Sequence, residues 1–162
     1  MSTRIGEEPV KTSIVVAAPI ERAFSVFSDG IDSWWPREHT IGAAAMREII
    51  LEPRAGGRAY TIDVEGGECD WGRVLAYEPP RWLVFSWDIS PAWKPETDPT
   101  KCSEVEVSFI TESADRTRVE LEHRHFERHG EGWEQIRNSV SSEGGWGMTL
   151  SRFAQATGGA AA

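Results

Sequence analysis

Residues 71–87 read WGRVLAYEPPRWLVFSW. Apolar and polar side chains alternate along both halves, and EPPR between them is turn chemistry, because a proline cannot donate to a central β-ladder. Leu83, Phe85 and Trp87 fall on one face of the second half. Two strands joined by so short a connection pair antiparallel. The same period of two extends in both directions from this hairpin. MREIILEP, GRAYTIDVEG, CDWGRVLAYEPP, RWLVFSWDI, SEVEVSFITES and RTRVELEHRHF are successive strand candidates from residue 46 onward. Between them lie PRAGG, EGGE, EPPR, the long SPAWKPETDPTK and SADR, all rich in turn residues. Val105, Val107 and Phe109 repeat the one-faced pattern, so the expectation is an antiparallel meander with one apolar and one wet face.

Outside the meander the period lengthens. KTSIVVAA, residues 11–18, is β-branched and ends at Pro19, which predicts a first strand. PIERAFSVFSD places Pro19 at a good first helical position, and Ala23, Phe24, Phe27 and Ile31 follow helical spacing. After Gly30, IDSWW predicts a second short helix capped by Asp32 or Ser33 and stopped by Pro36. Residues 131–157 return to helical spacing, with Ile136, Val140, Leu150 and Ala154 near one stripe and Trp146, Leu150 and Phe153 on the next. Gly144, Gly145 and Gly147 interrupt it, each costing about 1 kcal/mol against alanine inside a helix. They predict a kink or break, or a place where backbone nears the sheet or leaves room for a ligand. The element order, strand, two short helices, six strands, long helix, predicts an α+β fold. A curved sheet of about seven strands has only the C-terminal helix long enough to cover its apolar face. Residues 1–9 and 158–162 read as flexible tails around one domain over 10–157.

The chain has 162 residues, 40% hydrophobic and 27% charged, with a formal net charge of -9. That length and composition fit one globular domain with a sizeable core. The acidic balance argues against nucleic acid and anionic membrane partners, since phosphates need concentrated Lys and Arg. Basic residues are interleaved with acids, as in RTRVELEHR, which predicts cross-strand pairs on a wet face. No apolar run approaches the roughly 20 residues of a membrane span, and MSTRIGEEPVKTS lacks an apolar signal core. Cytoplasm is therefore the default expectation, and Cys69 and Cys102 are expected as free thiols.

Four longer stretches carry a resemblance: VVAAPIERAFSVFSDGIDSWWP (15–36) near the start, WGRVLAYEPPRWLVFSW (71–87) in the middle, and TRVELEHRHFERHGEGW (117–133) with GGWGMTLSRFAQ (144–155) at the end. In order and spacing the chain resembles the START-like helix-grip superfamily, which includes birch-pollen-allergen-like proteins and polyketide cyclases. More narrowly it resembles the branch homologous to the C-terminal domain of the activator of the ninety-kilodalton heat-shock protein's ATPase. The resemblance covers nearly all of residues 10–157. It implies a deep, largely apolar cavity between sheet and C-terminal helix. It leaves three function classes open: a binder of a small hydrophobic or aromatic molecule, a small cavity enzyme of cyclase, hydrolase or dehydratase type, and a stress co-chaperone or adaptor.

HRHFERH, residues 123–129, holds three of the four histidines. His123 and His125 are two apart on a strand, which predicts one shared inward face beyond Val119 and Leu121. Either is a candidate acid–base group, with Asp88, or Glu38 beside His39, as partner. As a metal start the pair lacks further ligands at metal spacing, and there is no serine nucleophile elbow (GxSxG) and no P-loop or GxGxxG cofactor motif. Eight tryptophans are the stronger signal. Packing Trp34, Trp35, Trp71, Trp87 and Trp146 into one small core is awkward, because each indole N–H wants a partner. Pockets are apolar and aromatic with few polar groups. The expected pocket is walled by Trp35, Tyr60, Trp71, Trp87 and Trp146, with Trp34 and His39 at its mouth, Phe85 and Leu150 contributing, and His123 or His125 as polar handle. Residues 90–102 are long for a hairpin connection, so Trp93 is expected either to close the pocket or to meet a second copy in a homodimer.

Overall fold

The computed structural model describes residues 9–37, 39 and 44–159. Seven strands form one antiparallel sheet: β1 (Val10–Val16), β2 (Met46–Leu51), β3 (Arg58–Asp63), β4 (Glu68–Glu78), β5 (Trp82–Trp87), β6 (Ser103–Ser113) and β7 (Arg116–Arg124). Their spatial order is β1-β7-β6-β5-β4-β3-β2, so the chain makes a meander from β2 to β7 and β1 closes the far edge. Three α-helices accompany it: α1 (Ile20–Ser28), α2 (Trp133–Ser141) and α3 (Trp146–Ala156). IDSWW forms only a 3-10 turn over Ile31–Ser33, which leaves Trp34 and Trp35 immediately after it. Among the described residues no helix is long and apolar enough to cross a membrane.

Alternation places Thr117, Val119, Leu121 and His123 on the inner face of β7, opposite Val105, Val107 and Phe109 of β6. Helices α1 and α3 cover that end. Phe24 and Phe27 of α1 meet Phe109 with ring centroids 5.0 and 5.7 Å apart, and Phe27 meets Phe153 of α3 at 5.2 Å. The middle strand departs from the expected wet face. Val84, Ser86 and Asp88 are buried along with Leu83, Phe85 and Trp87, and Arg73 reaches over this face, its backbone N–H donating to Ser86 Oγ and its guanidinium pairing with Asp88. Residues 158–159, expected in a flexible tail, are tied to the end of β1, where the Gly159 carbonyl accepts the Ala17 N–H at 3.1 Å.

The expected long C-terminal helix is two helices, broken between Ser141 and Trp146. Gly145 shows why. A Cβ there would run into the carbonyl of Val140, so the chain turns back over the end of α2 only because residue 145 has none. The Ser142 hydroxyl donates to the Ser139 carbonyl at 2.6 Å and helps satisfy that helix end. Gly145→Ala is expected to destabilise the fold by about 2 kcal/mol, the scale of overpacking, while Gly147→Ala, open to space, is neutral or mildly stabilising. Urea denaturation of the two variants checks it; equal midpoints would remove the steric account of the break.

Candidate functional site

The break between α2 and α3 opens a chamber over the β2–β5 end of the sheet. Its volume is about 310 Å3. Ile49, Thr61, Cys69, Trp71, Trp87 and Ile89 supply the sheet side, and Trp35, His39, Val140, Gly144, Gly145, Trp146 and Thr149 supply the other. Trp93 stands at the rim, 41% exposed, in a left-handed backbone conformation at the tip of a small hairpin held by Ile89 and Pro95.

Four indoles pack against one another as a continuous cluster along the wall of this space. Trp35 stacks on Trp71 with centroids 5.6 Å apart and planes 21° apart. Trp71 meets Trp87 edgewise at 6.1 Å, Trp87 meets Trp146 at 5.5 Å, and Trp146 returns to Trp35 at 6.0 Å. Phe85 lies beneath, 5.5 Å from Trp71. Local sequence explains the seats. Gly72 lets β4 approach β5 at the Ser86 carbonyl, where a Cβ would collide, and this fixes Trp71 at the close crossing. Gly145 delivers Trp146 as the first residue of α3. The indole N–H groups of Trp71 and Trp87 are buried without an acceptor among the described residues.

Behind Trp146 runs a buried polar chain. The Trp146 indole N–H donates to His123 Nδ1 at 3.0 Å. An indole only donates, so His123 Nδ1 accepts and the ring proton sits on Nε2, from which it donates to Ser103 Oγ at 2.7 Å. The Ser103 hydroxyl then donates to His129 Nε2 at 2.7 Å, and the Ser103 backbone N–H points at the same nitrogen at 3.3 Å. This leaves the His129 proton on Nδ1, which is buried without a partner. Burial, and then the neighbouring His129, holds the His123 pKa well below the ordinary imidazole range. His129 is lowered by its burial too, against the pull of Glu96, Asp88 and Glu127. Both rings are neutral struts at neutral pH.

Of the candidate residues, Trp35, His39, Trp71, Trp87 and Trp146 come together on the chamber wall. Phe85, Leu150 and His123 are fully buried behind it. His123 is therefore corrected from pocket handle to wall support, since both its ring nitrogens are occupied and it faces no open space. His125 is corrected more strongly. Strand β7 ends at Arg124, and His125 turns to φ 69, which breaks the two-residue alternation and leaves it 40% exposed beside Glu127. Trp34 goes into the core between Phe27 and Phe153, its N–H donating to the Val26 carbonyl at 2.8 Å. Tyr60 faces outward beneath the Arg58 guanidinium, 3.9 Å from its ring centre, because its neighbours Ala59 and Thr61 take the inner face. Asp88 pairs with Arg73 at 3.0 Å and not with a histidine, and Glu38 lies outside the described residues.

Site residues not picked out from the sequence include Thr61, Cys69 and Ile49; the β3–β4 register sets Thr61 and Cys69 side by side, and the glycines singled out at 144 and 145 line the same space. Both cysteines are free thiols. Burial, with Asp70 beside it, raises the pKa of Cys69, and burial followed by Asp88 pushes Cys102 up to about 12, so neither is a thiolate nucleophile at neutral pH. Among the described residues no cluster of three His, Cys, Asp or Glu has the arrangement to hold a metal ion.

The family model described as activator of Hsp90 ATPase homolog 1-like protein matches residues 17–158. No curated protein matches the chain. Among solved structures, the chain is 38% identical to the anthrahydroquino-gama-pyrone synthase Txn09, solved in complex with SUM; the match covers 91% of this chain and 95% of that one, with a TM-score of 0.66. It is 29% identical to CalC, a self-sacrificing resistance protein from Micromonospora echinospora, over 93% of this chain and 94% of that one, with a TM-score of 0.67. A protein from Nitrosomonas europaea shares the fold at 16% identity, over 97% of this chain and 98% of that one, with a TM-score of 0.65.

Proposed function

The chain belongs to the activator of Hsp90 ATPase homolog 1-like family, and from that premise we propose that its tryptophan-lined chamber binds a small, neutral, planar aromatic molecule. The observation that carries this is the contiguous indole cluster Trp35–Trp71–Trp87–Trp146 lining a space of about 310 Å3 whose described lining contains no Asp, Glu, Lys or Arg. Indole faces attract flat π-systems by offset or edgewise contact, and a wall without charge gives a charged ligand no compensation for its lost hydration. The volume is at the small end of the range of roughly 300–1,000 Å3 typical of ligand pockets, which suits a molecule of a few fused rings. The 38% identity to a synthase named for an anthrahydroquinone–pyrone product supports the same ligand class.

Native mass spectrometry of protein purified from its own host, with extraction of any adduct, tests this together with tryptophan quenching by 1-naphthol. A stoichiometric aromatic adduct and saturable quenching are expected. An empty protein that shows neither would sink the proposal and favour the adaptor class. Trp71→Leu keeps apolar bulk but removes the stacking face, and is expected to weaken 1-naphthol binding about 30-fold, or about 2 kcal/mol, the scale of an aromatic hot spot.

Catalysis on the bound molecule is a second reading, favoured by the neighbour's being a synthase. Its acid–base candidate is His39, the histidine on the chamber wall, and not His123 or His125. Incubation of the extracted ligand with wild type and His39→Ala, followed by mass spectrometry, separates turnover from storage.

A further inference from the structure

The buried hydroxyl side chains are accounted for almost without remainder. Ser28 bonds to the Tyr77 hydroxyl, Ser86 accepts the Arg73 N–H, and Ser103 bridges the two histidines. Thr117 donates to the Ala18 carbonyl, Thr149 to Gly145, and Thr157 to Phe153 and Ala154. Thr61 differs. It is 8% exposed, it lines the chamber, and its hydroxyl makes no hydrogen bond among the described residues. The hydroxyl is not one of the sealed, unpartnered polar atoms, which are Trp71 Nε1, Trp87 Nε1 and His129 Nδ1 among the described residues, so it opens onto the chamber and is free to bond to what fills it. Packing alone does not call for a hydroxyl there, since valine has the same shape and suits a strand at least as well.

The surroundings say what kind of partner it takes. Ile49, Thr61 and Cys69 are register neighbours across β2, β3 and β4, so they form one row on the inner face of the sheet. Thr61 is the hydroxyl in that row, beside an aliphatic chain and a thiol, and the described lining of the chamber holds no Asp, Glu, Lys or Arg. A hydroxyl in such a place donates to a carbonyl or accepts from a phenol, and no Lys or Arg in the described lining pairs with a carboxylate or phosphate. We infer that Thr61 is the specificity-determining residue of the chamber, reading a neutral carbonyl or phenolic oxygen on an otherwise flat apolar ligand. This rests on the chamber reading proposed above and names the substituent it selects.

The test uses two probes of nearly equal shape, 1-naphthol and 1-methylnaphthalene, titrated by tryptophan quenching into wild type, Thr61→Val and Thr61→Ser. In a wall that is only apolar, 1-methylnaphthalene binds better, because it loses less hydration. The expected result is that wild type binds 1-naphthol at least as tightly as 1-methylnaphthalene. Thr61→Val should then lose about 3- to 10-fold for 1-naphthol alone, the size of one hydrogen bond. Thr61→Ser, which keeps the hydroxyl, should recover most of that loss. Equal affinities of Thr61→Val and wild type for 1-naphthol would overturn the inference and leave the chamber reading standing. Failure of wild type to bind either probe overturns the chamber reading itself, and the inference with it. Should Thr61→Val not fold, a clear wild-type preference for 1-methylnaphthalene still refutes the role of Thr61.

Discussion

Truncating His123 to alanine is expected to lower the stability of the fold by about 3–5 kcal/mol, the range for a large buried side chain whose removal leaves a cavity. The ring is fully buried, packed 4.4 Å from Phe126 and 5.3 Å from Trp87 between ring centroids. Its loss also strands the Trp146 N–H and one bond of Ser103, and each orphaned buried group costs about 1–3 kcal/mol. His123→Phe separates the two contributions. It refills the volume but accepts nothing from Trp146, so about 1–3 kcal/mol of the loss should remain. Denaturant unfolding measures both variants. An alanine variant within about 1 kcal/mol of wild type would mean that the chain from Trp146 to His129 does not hold the chamber wall.

Acid should destabilise the protein earlier than its carboxylates alone would allow. The folded state holds His123 neutral, with its pKa well below the ordinary 6.5, while the unfolded chain takes up that proton near 6.5. Between those two values the unfolded state binds more protons, so stability rises with pH there and is lost as pH falls. The sign is that of a buried neutral histidine: full stability above about pH 7, then a decline of up to about 1.4 kcal/mol per pH unit from His123. His129, also lowered, adds in the same direction, although Glu96, Asp88 and Glu127 moderate it. Thermal or urea unfolding from pH 7.5 to 5 reads the slope, and His123→Phe should flatten it. A flat wild-type profile over that range would show that the buried histidines do not stay neutral.

The strands were legible because alternation is a local property. A side chain's face follows from its position in an extended chain, and the hairpin at Glu78–Trp82 needed no distant information. The helix break was legible as well, in the glycines at 144 and 145. The site was legible as a set of residue types, and less so as a set of positions. In YTIDV, residues 60–64, Tyr60, Ile62 and Val64 make the more apolar face, and alternation alone turns that face inward. The structure turns it out: Val64 is 60% exposed, and the inner face carries Ala59 and Thr61. The physical reason is that this part of the sheet faces a chamber and not a packed core, so small and polar side chains hold the inner positions. Local pattern and tertiary position disagree where there is a space to preserve.

By itself, then, the sequence determined the α+β order, the seven strands, the acidic character and the surplus of indoles. Each of these is set by backbone period, turn chemistry or composition, which neighbouring residues settle among themselves. Tertiary structure alone decided that Trp34 fills the core while Trp35 faces the chamber. It also decided that His123 props a wall, that His125 leaves the sheet, and that Thr61 lines the chamber. Those outcomes depend on which distant segments meet, through the β3–β4 register, the crossing at Gly72 and the seat of Trp146 on His123, and no local periodicity encodes a meeting between residues so far apart in the chain.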